Sequence, residues 1–258
     1  MRLPRPESAF QRLLLDTKYI RFLGRRMFPT YTSRLDDGTR LMLRTSGEEG
    51  SIVEEIFEKR IYEKYFRPEA GQTVVDGGAQ IGCFTLRSAR LVGGRGKVLS
   101  FEPFSGNYAR LKRNVELNNL GNTKTFNFAL GDSDAEADIW LGRNPGSHTL
   151  LRERWKDIAT RGSEKVRLRK LDSVMEELGD LRVDFVKLDT EGSELPILKG
   201  AARTLDKYHP RIVGEAHPTF SSPGKEIIDF LRGFGYDGRV EGYYTNELFY
   251  AWEKETGA

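Results

Sequence analysis

The chain contains a single cysteine, Cys83, so neither a disulfide framework nor a cysteine-based zinc site can form within it. A lone cysteine of this kind is expected to be a small buried apolar side chain. The scarcity of cysteine is compatible with a reducing compartment.

The sequence also lacks an apolar run long enough to span a bilayer. Its first ten residues carry charges and two prolines, without the apolar stretch of a signal peptide. Internal repeats and low-complexity segments are absent as well. We therefore expect a cytoplasmic protein.

Charge is balanced overall but unevenly distributed. The net charge is +3, yet residues 1–34 hold eight basic side chains against two acids. Such a segment leaves open a peripheral contact with an anionic surface, either a membrane or a nucleic acid. A solvated helix face is the commoner explanation of a charge run, and we favour it.

The length of 258 residues fits one α/β domain with an extension better than two full domains. We place the extension at residues 1–50 and the main domain at residues 51–258. Apolar spacing predicts a helix from Ser8 to about Met27. Asp37-Gly38 predicts a two-residue hairpin turn, in which both central positions need positive φ.

From Gln72 onward strands and helices alternate, which predicts a doubly wound, mainly parallel α/β sheet covered by helices on both faces. The predicted strands are Thr73–Asp76, Lys97–Glu102, Lys124–Ala129, Val183–Asp189 and Arg211–Glu215, followed by an antiparallel pair at Tyr236–Val240 and Leu248–Trp252. The predicted helices are Ile52–Phe66, Gly82–Leu91, Ser105–Asn118, Asp172–Leu178, Glu194–Tyr208 and Gly224–Phe234. Residues 135–170 depart from this alternation and are predicted to be an insertion containing a hairpin.

The glycine-rich turn after the first main-domain strand indicates a nucleotide site. Residues 74–82 read VVDGGAQIG, with Gly78, Ala79 and Gly82 as small residues that let a ligand approach the backbone. The preceding acid, Asp76, would repel a pyrophosphate but attract the ammonium of a methionine moiety. The sign of this charge favours S-adenosylmethionine over NAD.

Two further strand ends complete the predicted cofactor site. Glu102 ends the next strand, where an acid can accept hydrogen bonds from both ribose hydroxyls. Ala129 and Leu130 follow the third strand and could hold adenine through backbone groups and apolar contact. Plain core packing is an equal alternative for the neighbouring Phe128.

Together these segments resemble the FkbM-type methyltransferases, and the resemblance runs from about Ile52 to Pro218. The motifs that carry it are Asp76-x-Gly78-Ala79-x-x-Gly82-x-Phe84-Thr85, Glu102-Pro103, Asn114-x-x-x-Asn118, Ala129-Leu130-Gly131-Asp132, Leu171-Asp172, Lys187-x-Asp189-x-Glu191-Gly192-x-Glu194, Leu198-Lys199-Gly200 and Glu215-x-His217. The resemblance implies the class I methyltransferase fold and S-adenosylmethionine as methyl donor, with Thr85 among the cofactor-binding residues. It also implies O-methylation of a sugar or natural product hydroxyl.

Chemistry is expected at the carboxyl ends of the fourth and fifth strands, where ligands bind in such sheets. Asp189 is predicted to lie near the methyl group or the acceptor hydroxyl. Lys187 projects to the same face, and either takes part or forms an internal ion pair with Asp189 or Glu191.

His217 is the best candidate for a general base, because an unperturbed histidine titrates near neutral pH. Glu215 either orients its ring or binds substrate. With Asp189 these two side chains could also ligate Mg²⁺ or Mn²⁺, although their spacing is not a recognised metal signature, so we do not favour a metal.

The expected partner is a small-molecule or glycan acceptor. An RNA methyltransferase is the first alternative, but the sequence lacks a platform of paired basic and aromatic residues. An NAD-linked oxidoreductase and a non-catalytic binding module are the others. The acceptor, N- versus O-methylation and the oligomeric state do not follow from the sequence.

Overall fold

The residues that the structure describes form one large sheet and two small ones. The computed structural model describes residues 29–45, 49–142, 146–151, 162–217 and 223–255. The strands are β1 (Thr30–Arg34), β2 (Arg40–Arg44), β3 (Thr73–Gly77), β4 (Lys97–Phe101), β5 (Thr123–Phe126), β6 (Ala129–Leu130), β7 (Ala135–Trp140), β8 (Ser163–Arg169), β9 (Phe185–Leu188), β10 (Arg211–Ala216), β11 (Tyr236–Tyr243) and β12 (Asn246–Glu253). The α-helices are α1 (Glu49–Val53), α2 (Cys83–Val92), α3 (Ser105–Leu117), α4 (Leu171–Glu177), α5 (Glu194–Lys199), α6 (Ala202–Tyr208) and α7 (Gly224–Arg232).

The central sheet has the strand order β11-β12-β10-β9-β3-β4-β5. Strands β10, β9, β3, β4 and β5 are parallel, and β12 pairs antiparallel with both β10 and β11. The chain moves outward in one direction from β3 and returns on the other side with β9. The predicted doubly wound sheet is therefore confirmed, and its switch point lies between β3 and β9.

The core lies on both faces of this sheet because successive strand residues point to opposite sides. Val75, Leu99 and Val186 pack beneath α4 to α7. Val74 and Val98 pack on the other face, against α2 and the segment that precedes β3. Full burial on both faces explains why these strands read as continuous apolar runs.

The N-terminal hairpin forms, but its turn differs from the prediction. The Leu35 N–H donates to the Thr39 carbonyl at 2.8 Å and the Gly38 N–H donates to the Leu35 carbonyl at 2.9 Å. Only Gly38 has positive φ, at 83°, while Asp37 accepts a hydrogen bond from the Thr39 N–H. The two-residue turn was wrong: a three-residue loop with one left-handed glycine closes the strands. The predicted helix from Ser8 to Met27 lies outside the described residues.

The helix predicted over Ile52–Phe66 is interrupted. After α1 the chain forms a π-helical stretch, Glu54–Lys59, and then a 3₁₀ turn, Ile61–Glu63. Arg60 between them is left-handed, with φ 56°. This change of direction brings the Ile61 carbonyl to the Tyr250 hydroxyl, 2.7 Å away. We call residues 49–63 the wall segment, since they border the cavity described below.

The predicted strand Lys124–Ala129 is two strands in different sheets. Asn127 ends the first strand because its side-chain amide donates to the Glu102 and Pro103 carbonyls, both at 2.9 Å. β6 then pairs with β8, which also pairs with β7. The predicted insertion hairpin is thus present as part of a three-stranded sheet.

The predicted helix Glu194–Tyr208 is divided at Gly200 into α5 and α6. The Gly200 carbonyl accepts a hydrogen bond from the Asp172 N–H at 3.1 Å, in place of a bond from the next helical turn. The Asp172 carboxylate then accepts from the N–H groups of Arg203 and Thr204 and so caps the start of α6.

Gly200→Ala is expected to destabilise the fold by about 1–3 kcal/mol, because an added Cβ would lie 1.9 Å from the Gly131 carbonyl oxygen. Gly121→Ala is the matched control, since nothing lies within 4 Å of its added Cβ. Urea denaturation should show the loss for Gly200→Ala and a change within about 0.5 kcal/mol for the control. Equal midpoints for the two variants would contradict the close-approach explanation.

Candidate active site

A cavity of about 340 Å³ opens at the carboxyl ends of the parallel strands, around the switch point. It is bordered by the wall segment, the glycine turn after β3, the residues after β4 and β9, and the end of β10. Of the predicted site residues, those that line it are Gly78, Ala79, Glu102, Ala129, Leu130, Lys187, Asp189 and Glu215. Those that do not are Asp76, Gly82, Thr85 and His217.

The glycine turn is shaped by neighbouring backbone. Gly78 has φ 73°, and a Cβ there would lie 1.9 Å from the Asp189 carbonyl oxygen. The N–H groups of Gly78 and Ala79 both donate to the Phe101 carbonyl. The loop that carries Asp189 packs directly on the turn and leaves no room for a side chain at position 78. Glycine is therefore required there.

Glu102 lines the cavity as a buried carboxylate. Its two oxygens accept hydrogen bonds from the Gln80 N–H at 2.8 Å and the Phe104 N–H at 3.0 Å. Burial raises the pKa of Glu102 to about 7, and these hydrogen bonds only partly oppose the effect. Each oxygen retains acceptor capacity, so the group can receive hydroxyl donors from a ligand. Ala129 and Leu130 border the same cavity.

Asp76 is fully buried, and its nearest polar neighbours belong to the protein. The Thr85 hydroxyl donates to its Oδ2 at 2.6 Å, and Lys187 Nζ lies 3.2 Å from its Oδ1. Gly82 is also enclosed, because a Cβ there would lie 2.7 Å from the Leu111 side chain. The structure therefore places these three predicted cofactor residues, Asp76, Gly82 and Thr85, behind the cavity surface.

Lys187 connects the buried acid to the cavity. Its ammonium also donates to the Gly78 carbonyl at 3.0 Å and lies 4.0 Å from Asp189 Oδ2. Burial alone would lower the pKa of Lys187, but the charges of Asp76 and Asp189 outweigh it and raise the value. The ion-pair alternative for Lys187 is thus present, although its nearest partner is Asp76, which the sequence interpretation had not considered.

Asp189 and Glu215 place two carboxylates at the cavity surface. The Tyr62 hydroxyl donates to Asp189 Oδ2 at 3.1 Å, and Asn246 donates to Glu215 Oε1 at 2.5 Å. Burial raises the pKa of Glu215 well above its usual range, and the neighbouring Asp189 charge adds to the effect. A carboxyl group in this state holds its proton at neutral pH and can donate a hydrogen bond to an oxygen atom of a ligand.

His217 is buried and 1% exposed behind these acids. Its Nδ1 lies 3.2 Å from Glu194 Oε1. Burial would lower the pKa of His217, but the hydrogen bond and charge of Glu194, followed by the Glu191 charge, raise it to about 9. A protonated imidazole cannot take a proton at neutral pH, so this geometry does not support the predicted general-base role.

Glu194 organises the loop that follows β9. Its Oε1 accepts hydrogen bonds from the N–H groups of Thr190 and Gly192 at 3.0 and 3.2 Å. Helix α5 begins at Glu194, and Glu191 lies in the preceding loop in a left-handed conformation with φ 58°. His217 therefore neutralises the carboxylate around which this loop is folded.

Comparisons with known proteins identify the chain. A family model described as the methyltransferase FkbM domain matches residues 76–237, well over half of the chain. The chain belongs to the FkbM methyltransferase family. The predicted family is confirmed, and the protein is a methyltransferase.

Two relatives support this assignment. The chain is 32% identical over 189 residues to methyltransferase sdnD of Sordaria araneosa, covering 63% of this chain and 71% of that protein. It is 30% identical over 174 residues to methyltransferase 1 of Beauveria bassiana (strain ARSEF 2860), covering 61% of this chain and 68% of that protein. The family assignment favours the methyltransferase hypothesis over an oxidoreductase.

The fold agrees with a solved member of the family. The structure of methyltransferase FkbM from Methylobacillus flagellatus KT matches with a TM-score of 0.54 and 18% identity, covering 78% of this chain and 48% of that one. The class I methyltransferase fold expected from the sequence is thereby confirmed.

Sequence reasoning missed Tyr62 and Gln80, which also line the cavity. Tyr62 was expected within a regular helix, and the break at Arg60 that turns it toward Asp189 leaves no local signal such as Gly or Pro. Gln80 has φ 51° and contributes its N–H to Glu102.

Two further findings concern the described ranges alone. Within them, no group of three or more His, Cys, Asp or Glu side chains is arranged to hold a metal ion. No helix there has the length and apolar character needed to cross a bilayer. Cys83 is buried, as expected.

The buried His217–Glu194 pair should make stability depend on pH. Because folding raises the pKa of His217 from 6.5 to about 9, its contribution is fully present below pH 6.5 and is lost as the pH rises through about 9. His217→Gln should remove this component from unfolding midpoints measured between pH 6 and about 9.5.

His209→Gln is the matched control. The ring Nε2 of His209 lies 3.1 Å from the Phe234 carbonyl oxygen, and no carboxylate of the described residues is hydrogen-bonded to it. Its stability profile should follow the wild type across the same range. Parallel profiles for the wild type and His217→Gln would show that the pair does not carry the proton assigned to it.

Proposed function

We propose that this methyltransferase uses S-adenosylmethionine to methylate a hydroxyl group of a sugar, glycan or other natural product. The observation that carries the proposal is one cavity with two different ends. Glu102 follows β4 on one side of β3, while Asp189 and Glu215 belong to the ends of β9 and β10 on the other side. Ala129 and Leu130 also line the cavity. This combination suits a nucleoside cofactor beside an acceptor that must lose a proton.

The donor fits the residues at the Glu102 end. A buried carboxylate whose pKa is raised by burial gains from hydroxyl donors, and a ribose offers two. Ala129 and Leu130 supply an apolar edge for adenine. When bound, S-adenosylmethionine supplies a methyl group carried on a positively charged sulfur.

Asp76 contributes to donor binding indirectly. Its carboxylate is engaged by Lys187 and Thr85, so it acts by holding the Lys187 ammonium against the Gly78 carbonyl. The role assigned from sequence, a direct bond to the donor's ammonium, is replaced in this proposal by support of the glycine turn.

The Asp189–Glu215 pair provides the base. An alcohol is a poor nucleophile at neutral pH, and a carboxylate that removes its proton contributes substantially to the rate. Burial and the Asp189 charge keep Glu215 protonated, so Asp189 accepts the proton of the hydroxyl group while Glu215 holds the acceptor in place. Holding the acceptor in line with the methyl group supplies much of the remaining rate.

Glu102→Gln is expected to weaken binding of S-adenosylhomocysteine by about ten- to a hundredfold, because an acceptor for the ribose hydroxyls is lost. Isothermal titration calorimetry measures this directly, with S-adenosylmethionine and NADH as parallel ligands. Glu116→Gln is the control, because that side chain is exposed on α3. Binding of NADH in preference to both donor compounds would overturn the assignment.

Asp189→Asn is expected to lower kcat by about 10²–10⁴-fold while the affinity for S-adenosylhomocysteine stays near that of the wild type. The measurement is transfer of a labelled methyl group to a panel of sugars and polyhydroxylated natural products, with the methylated atom located by NMR. Asp132→Asn, an exposed acid, is the control. Methylation of nitrogen or of RNA by the wild type would contradict the proposed acceptor class.

A further inference from the structure

The wall segment brings one tyrosine against the carboxylate that the proposed reaction needs. Tyr62 is 3% exposed, and its hydroxyl donates to Asp189 Oδ2 at 3.1 Å. The Lys187 ammonium lies 4.0 Å from the same oxygen. Within the described ranges, the other oxygen, Oδ1, accepts no hydrogen bond, so one side of the carboxylate is fixed and the other is open.

Tyr62 is itself held rigidly. Its ring packs edge-on against Phe84 with centroids 5.8 Å apart, and the Lys187 ammonium lies 5.6 Å from its centroid. The preceding carbonyl, on Ile61, accepts the Tyr250 hydroxyl bond at 2.7 Å. A hydroxyl placed by packing on several sides can fix its partner at little entropic cost.

The backbone just before Tyr62 has an unusual conformation, which turns this residue toward Asp189. Arg60 adopts φ 56° and ψ 45°, a left-handed conformation that costs a non-glycine residue about 1–3 kcal/mol. A π-helical stretch precedes it, and such stretches occur frequently at functional sites. The strain at Arg60 turns the chain so that Tyr62 enters the cavity.

The Tyr62 hydroxyl keeps its proton under working conditions. Burial raises the pKa of Tyr62 well above its usual value, and the Asp189 charge raises it further. The group is therefore a permanent donor to Asp189 and does not compete for the acceptor's proton.

We propose that Tyr62 is a positioning residue for methyl transfer: its hydroxyl fixes Oδ2 of Asp189, so that Oδ1 receives the proton released by the acceptor. The inference rests on the proposed function for its catalytic consequence. Tyr62 lies outside residues 76–237, so the family match does not include it. The arrangement assigns a role in the reaction to the wall segment.

Tyr62→Phe removes this hydroxyl and keeps the ring. The carboxyl carbon of Asp189, labelled with ¹³C and assigned by its loss in Asp189→Asn, should titrate at higher pH in the variant, because a carboxylate that loses a donor holds its proton more tightly. On an acceptor found in the methylation panel, kcat should fall about ten- to a hundredfold. Donor affinity should stay within about twofold.

Tyr250→Phe is the matched control. It also removes a buried tyrosine hydroxyl bond to the wall segment, but at the Ile61 carbonyl and without contact to a carboxylate. The control should lower stability but shift the Asp189 titration much less than Tyr62→Phe does, because the Tyr62 hydroxyl and its bond to Asp189 remain. Equal shifts in the two variants would mean that Tyr62 acts only by holding the segment in place.

A double variant separates positioning from general damage. If Tyr62 acts through Asp189, adding Tyr62→Phe to Asp189→Asn should change kcat by less than twofold. An unchanged Asp189 titration in Tyr62→Phe overturns the inference whatever the acceptor is. A wild-type protein that binds no methyl donor would instead sink the proposed function while leaving the NMR result to stand on its own.

Discussion

The buried ion pair between Asp76 and Lys187 is the interaction on which the rest of the site depends. The two residues are register partners on neighbouring strands β3 and β9, at the switch point of the sheet. Taking both charges out of water costs several kcal/mol for each ion, and their attraction and hydrogen bonds must offset this cost. The Thr85 hydroxyl and the Gly78 carbonyl supply those hydrogen bonds. The pair thereby fixes the glycine turn and the Asp189 loop relative to each other.

The pKa values of the other buried acids depend on whether a positive charge lies beside them. Glu102 and Glu215 both have raised pKa values because burial disfavours their charged forms. Glu194 differs because His217 supplies a matching positive charge, which lowers its pKa despite burial. The neighbours of each glutamate therefore decide whether its carboxyl group holds a proton or carries a charge.

The sequence predicted the sheet well because its strands are buried on both faces and leave an unmistakable apolar pattern. It also placed Glu102, Asp189 and Glu215 correctly at strand ends, since chain order fixes which ends meet. It failed where tertiary contacts decide. A hydrogen bond from the Asp172 N–H to the Gly200 carbonyl interrupts one predicted helix, and hydrogen bonds of the Asn127 side chain end one predicted strand early. The pairing of Asp76 with Lys187 likewise follows from strand register, which residue spacing does not reveal.

The last two strands, β11 and β12, form one edge of the sheet and also contact the wall segment. Tyr250 donates to the Ile61 carbonyl, Tyr243 donates to Glu55 at 2.7 Å, and Lys64, just after the wall segment, donates to Glu241. Regions far apart in the chain therefore meet on one side of the cavity. A change that loosened the final hairpin would reach Tyr62 and Asp189 through these three contacts, while Glu102, which follows β4, would keep its own supports.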